Sequence, residues 1–217
     1  MEYAINFRFS VRKMETGDKM KSNVCPLNGK DGELKAVLQE VDKCTAYNQL
    51  DHKSALRVRL LAEELVAMLP ALLENAEGSF WIENDKNKYE LHVSVTAKAT
   101  TDFFTRERLL SVSTSGKNEA NKGIMGKIRA AAELMLFPVG DDVMLNDFAG
   151  FEVDPSMSFS HAWSLRQYEN QISKQDESDA KAEAWDELEK SIIAKLADDV
   201  VVGIRGKKVD IIVHKKF

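Results

Sequence analysis

No apolar run in this sequence approaches the ~20 residues that a membrane-spanning helix needs, so a membrane partner is not expected. Cysteine is scarce: Cys25 and Cys44 are the only two, and their spacing is not metal-like. Nothing resembles CxxC, HExxH or a zinc knuckle, and the four histidines, His52, His92, His161 and His214, are scattered. No metal ligand is therefore assigned. A G-x-S-x-G elbow, a Ser/His/Asp context and a dinucleotide fingerprint are all lacking. Basic charge is not in excess either. Thirty Lys and Arg stand against 35 Asp and Glu, a formal net charge of −5, so no nucleic-acid partner is expected. Lys207, Lys208, Lys215 and Lys216 make a modest basic end, read as a solvated edge. Free thiols and no evident signal peptide point to the cytoplasm. No internal repeat is present.

The patterning that is present is that of an α+β protein. Tyr3 to Val11 alternates with period two, as a strand with one buried face does. Lys13 to Lys30 is polar and broken by Gly17, Pro26 and Gly29, and reads as a loop. Asp31 to Tyr47 reads as a helix through Leu34, Val37, Leu38, Val41 and Cys44. Asp51 suits the N-cap of a second helix, roughly Leu56 to Leu73, which Pro70 should kink or interrupt. Ser79 to Glu83 and Tyr89 to Ala97 read as a hairpin around Asn84-Asp85-Lys86-Asn87. Tyr89, Leu91, Val93, Val95 and Ala97 lie on its buried side, with Glu90, His92, Ser94 and Thr96 on its wet side.

Arg106 to Ser111 and Ser113 to Lys122 are less regular, and Gly123 to Leu136 reads as a short helix. Asp141 to about Ser178 is irregular, long enough to suggest a lid, an insertion or a mobile arm. Ala180 to Asp199 reads as one helix with an apolar stripe of Trp185, Leu188, Ile192, Ile193 and Leu196. Val200 to Arg205 and Lys208 to His214 close the chain as a hairpin around Gly206. The fold expected is a two-layer α+β sandwich: a mixed, mostly antiparallel sheet with helices on one face. Residues 1–30 are its N-terminal strand and loop, and 31–217 the main domain, with an irregular insertion at about 138–180.

Three constellations can carry chemistry. Glu64 falls between Leu60 and Met68 on the helical wheel, where a desolvated carboxylate would suit a general base. An ion pair with Arg57 is the plainer alternative. Second, Ser113-Thr114-Ser115-Gly116-Lys117-Asn118 and the Gly123-Ile124-Met125-Gly126 run precede or open a helix, where backbone amides and the dipole favour a phosphate. Ser115, Gly116, Lys117, Asn118, Gly123 and Gly126 are the candidate nucleotide-binding residues. The run is not a Walker A motif, and a flexible polar loop is the alternative. Third, Phe148, Phe151, Met157, Phe159, Trp163 and Tyr168 are too apolar for a linker, and should cover a core face or a partner surface.

The run Leu60-Leu61-Ala62-Glu63-Glu64-Leu65-Val66-Ala67-Met68 resembles the glutamate-bearing helix of the GHKL ATPases, which include histidine kinases and bacterial anti-sigma-factor serine kinases. The hairpin after it and the ending from Leu188 to Lys215 are also similar, so the resemblance spans roughly Asp31 to Phe217 without the insertion. It implies a GHKL-like fold, with Glu64 at the position of the family's general base and Gly123 to Gly126 resembling the glycine-rich lid. Met68 stands where the family's magnesium-binding asparagine would be, and Ala97 where its adenine-reading aspartate would be. Two of three nucleotide motifs are thus altered. The resemblance implies a cytoplasmic bacterial regulator that binds a partner protein, with a degenerate nucleotide site. An active ATP- and magnesium-dependent kinase or ATPase with Glu64 as base is the alternative, and an unrelated structural or assembly module a second.

Overall fold

A computed structural model describes residues 19–70, 76–98, 123–136, 151–152, 162–205 and 208–217. The expected strand at Tyr3 to Val11 and the segments Arg106 to Ser111 and Ser113 to Lys122 lie outside these residues.

Helical spacing and capping account for the first layer. Helix α1 (Glu33–Tyr47) buries Val37, Leu38, Val41 and Cys44, one stripe of a 3.6-residue period, while Leu34 stays exposed. Helix α2 (His52–Ala67) starts where Asp51 Oδ1 accepts from the amides of Lys53 and Ser54, at 3.0 and 3.1 Å. It ends at the cap residue Met68, two residues before Pro70, whose ring and missing N–H disfavour a continuous helix. The buried stripe of α2 is Ser54, Val58, Leu61, Ala62 and Leu65, and Leu56 and Leu60 lie beside it. Leu56 is exposed and Leu60 half-buried.

Strands β1 (Lys19–Lys21) and β2 (Cys25–Leu27) come from the stretch read as a loop. Both pair antiparallel, one after the other, with the same edge of β3 (Ala76–Asp85). Three-residue strands leave little periodic signal, and Pro26 is tolerated because its strand is an edge. β3 turns through Lys86, at φ 57, into β4 (Lys88–Ala97). The Asn84 amide donates to the carbonyls of Lys86 and Lys88 and locks this turn.

Helix α3 (Gly123–Leu136) has the expected bounds. The stretch read as an irregular insertion contributes β5 (Phe151–Glu152), β6 (Ala162–Ser164) and α4 (Leu165–Lys174). The single helix expected at Ala180 to Asp199 is two, α5 (Asp179–Lys190) and α6 (Ile192–Leu196). Ser191 lies between them in an extended conformation, and its hydroxyl caps α6 by accepting from the Ala194 amide. The break leaves Trp185 and Ile192 exposed while Leu188 and Ile193 are buried. The final hairpin is β7 (Asp199–Arg205) and β8 (Lys208–Lys216).

The sheet runs β1-β3-β4-β8-β7-β6-β5, with β2 beside β3. Every pairing among the described residues is antiparallel, so the expected mixed component is not among them. One sheet face is apolar. Phe80, Val93, Ile211, Val202 and Trp163 form a cross-strand row on it, all buried. This face and the helices share one core. α1 lies against β2 and β3, α3 against β4, β7 and β8, and α4 against β5, β6 and β7. Trp163 and Tyr168 are buried in it, which bears out the core-cover reading for these two aromatics. Side chains of this size contribute roughly 1.5–3 kcal/mol each on burial.

The other face carries a second row, in register across five strands: Lys21, Glu83, Glu90, His214 and Asp199. It is less wet than its alternation suggested. Ser94, Asp210 and Ile212 are buried, and Glu90 and His92 half-buried.

Candidate functional site: an acidic cleft beside Glu64

The flank of α2, the start of α3 and the junction of α5 with α6 enclose a cleft of about 510 Å³. Glu64, Gly123, Ile124 and Met125 line one part of it. Glu183, Asp186, Glu187, Lys190, Ser191 and Ile192 line the rest. Two residues singled out from sequence, Glu64 and Gly123, are therefore brought together. Gly126 is buried one turn further into α3 and does not line the cleft. Ser115, Gly116, Lys117 and Asn118 lie outside the described residues.

The orientation of α2 explains the place of Glu64. Glu64 follows Leu56 and Leu60 at four-residue intervals along the margin of the buried stripe, so it reaches the cleft rather than the core. It makes no ion pair among the described residues, and the expected bond to Arg57 does not form. Arg59 is instead the cation that works on this helix. Its guanidinium meets Asp42 of α1 at 2.6 Å and Glu63 at 3.4 Å. Met68, one turn below Glu64, is buried in the hydrophobic core.

The start of α3 was expected to face a phosphate, and it faces a carboxylate of the protein's own. Gly123, at φ 75, directs its N–H to Glu187 Oε1 at 3.2 Å. Lys127, one turn on, places its ammonium 3.1 Å from Glu187 Oε2 and over the ring of Tyr168. Burial pulls the Lys127 ammonium down, but Tyr168 and Glu187 outweigh burial and hold it above its ordinary value. An amide at a helix N-terminus and a lysine one turn along are the donors that commonly hold an anion. Glu187 occupies both.

No protein-family model and no curated protein matches this sequence. The chemistry of the cleft thus rests on its own residues. Among the described residues, Glu64, Glu183, Asp186 and Glu187 give it four carboxylates, of which Asp186 pairs with Lys190 and Glu187 with Lys127. The described lining is therefore net acidic, which favours cations over anions. Among the described residues, the thioether of Met68 is buried in the core, and the amide at the start of α3 meets the Glu187 carboxylate. Sequence reasoning missed Glu183, Asp186, Glu187 and Lys190. Their spacing of three, four and seven places them on one face of a helix, and that stripe was legible in the sequence. No helix among the described residues is long and apolar enough to cross a membrane.

Proposed function

We propose that this protein is a cytoplasmic bacterial regulator of GHKL-like descent that acts by binding a partner protein, with its former nucleotide site converted to an acidic cleft. The observation that carries the reading is Glu187. An internal carboxylate accepts from Gly123 and pairs with Lys127 at the start of the helix expected to face a phosphate. The order of elements, with a glutamate-bearing helix, a hairpin, a later helix and a closing hairpin, supports the family relationship. Burial of Met68 and the partly buried Ala97 at the end of β4 support loss of magnesium and adenine recognition. The charge of the cleft favours a partner that presents a basic segment.

Isothermal titration with magnesium-ATP and with ADP tests this reading. No saturable binding is expected at micromolar ligand. A Lys/Arg-rich peptide is expected to bind with strong salt dependence, more weakly to the Glu183→Gln/Asp186→Asn double variant. ATP binding in the micromolar range that Glu64→Ala abolishes would overturn the proposal. It would install the alternative favoured by the shared position of Glu64 and Gly123, an active ATP-dependent kinase or ATPase. Binding of neither ATP nor peptide would instead favour a structural or assembly module.

A further inference from the structure

The cleft does not exhaust the chemistry-bearing side chains. Glu83 on β3 and Glu90 on β4 face each other across the ladder on the sheet face away from the core. His92 is two residues along β4 on the same face. Each of the three offers one ligand atom, and these atoms lie within 4.8 Å of one another. We propose that Glu83, Glu90 and His92 form a binding site for one divalent cation of the zinc class, independent of the cleft.

Three observations carry this. First, the His92 Nε2 atom is buried yet makes no hydrogen bond. It lies 3.4 Å from Glu90 Oε2 outside hydrogen-bonding geometry. A buried polar atom without a hydrogen bond is costly, and a metal ion would satisfy it. Second, the imidazole is already oriented. Trp81 stacks on it with ring centroids 4.9 Å apart and planes 3° from parallel. The same indole donates from Nε1 to Glu83 Oε1 at 3.0 Å, so one side chain positions two of the three ligands. Third, an imidazole with two carboxylates is a donor set suited to zinc and similar ions. Bonds of about 2.0–2.2 Å place tetrahedral ligand atoms roughly 3.4 Å apart. Closing by up to about 1.4 Å is within reach of glutamate side chains at 21% and 33% exposure.

The site has internal competitors and one further neighbour. Lys19 on β1 reaches Glu83 Oε2 at 2.9 Å and Glu90 Oε2 at 3.6 Å, and Lys21 reaches Glu83 Oε1 at 3.5 Å. His214 on β8 places Nδ1 3.7 Å from Glu90 Oε1, on the side that holds Glu90 in place. Both lysine side chains are more than two-fifths exposed and can swing into water when a metal enters. The two carboxylates then neutralise the ion. Metal entry would release β1 from its ion pairs with β3 and β4, linking occupancy to the edge of the sheet.

Untagged protein titrated with zinc(II) against a chromophoric chelator, and with cobalt(II) followed by visible absorption and Trp81 fluorescence, tests the site. One equivalent is expected to bind, with tetrahedral cobalt bands. His92→Ala and Glu90→Gln are each expected to weaken it at least about 100-fold, the upper range seen even for outer-shell partners. Lys19→Ala is expected to tighten it, because a competing cation is removed. Circular dichroism checks that each variant folds. Failure of both wild type and Lys19→Ala to bind one equivalent overturns the proposal. Binding that survives His92→Ala in a folded protein, as capture by Cys25 or Cys44 would, overturns it equally. None of these outcomes depends on the cleft or on ATP.

Discussion

Glu187 decides the character of the cleft, and its substitution separates two roles that a carboxylate at a helix N-terminus can play. It is half-buried, and so is its partner Lys127. Glu187→Gln keeps an acceptor for the Gly123 amide and removes the charge facing Lys127. A loss of about 1 kcal/mol in urea unfolding is expected, since a half-buried ion pair is lost and the bond from the Gly123 amide loses its charged acceptor. Glu187→Ala also vacates the anion position. Inorganic phosphate at millimolar concentration is then expected to raise the Tm of Glu187→Ala and to leave wild type unmoved. An equal response of both proteins would show that Glu187 does not hold the phosphate position. At this scale the sequence was half legible. Glu64 and Gly123 stand out by their neighbours along the chain. Glu187 is legible only as one member of a charged helical stripe, because its partners are 64 and 60 residues away in sequence.

Among the elements, β6 and α4, together Ala162 to Lys174, show most clearly how a weak local signal becomes ordered structure. β6 is only three residues long, but Ser164 ends it and caps α4, accepting from the Gln167 amide. The same hydroxyl bonds the Asp199 carboxylate, at 3.1 and 3.2 Å. Asp199 also accepts from the amides of Arg166 and Val200, which ties β6, α4 and β7 to one point. Ser164→Ala removes a cap and leaves the half-buried Asp199 carboxylate with one donor fewer. A loss of about 1–2 kcal/mol in equilibrium unfolding is expected, with Ser164→Thr retaining most of it. An effect under about 0.3 kcal/mol would mean that the cap is satisfied by water. The two short strands paired with β3 and the break at Ser191 belong to the same class. Each is set by a partner strand or a single side-chain cap, and propensity along the chain does not register either one.

Across the whole molecule, one consequence follows from how the core is closed at the β4–α1 contact. Burial pushes the Cys44 thiol up to about 11, and burial likewise pushes the Tyr89 phenol up to about 12. Both are acids whose folded values exceed the unfolded 9.0 and 10.0. Their contribution to stability is full below pH 9 and is lost as pH rises from 9 to 12, since the unfolded chain releases these protons first. Urea midpoints are expected to hold between pH 7 and 8.5 and to fall steeply above pH 9.5. Tyr89→Phe is expected to be near neutral at pH 7. The phenol oxygen is buried without a hydrogen bond, and the Asn48 amide beside it donates to the Cys44 carbonyl oxygen. The variant should soften the decline above pH 10. A decline identical to that of wild type would place the alkaline transition in other groups.

Local patterning by itself determined the α+β class, helix α1, the cap and interruption of α2, helix α3 and both hairpins. These rest on periodicity, caps and turn residues, whose physics acts over a few residues. The same reading put Glu64 on the helix that borders a cleft. Only the tertiary structure decided what surrounds it. Four carboxylates from α2 and α5 converge there, and Glu187 takes the anion position at α3. The same holds on the opposite face of the sheet. Glu83, Glu90 and His92 form a cluster only because β3 and β4 pair in a register that sets Glu83 against Glu90. Convergence of charge depends on strand register and helix packing. Both are fixed by burial of the apolar face, an energy summed over the whole core and not encoded at any one position.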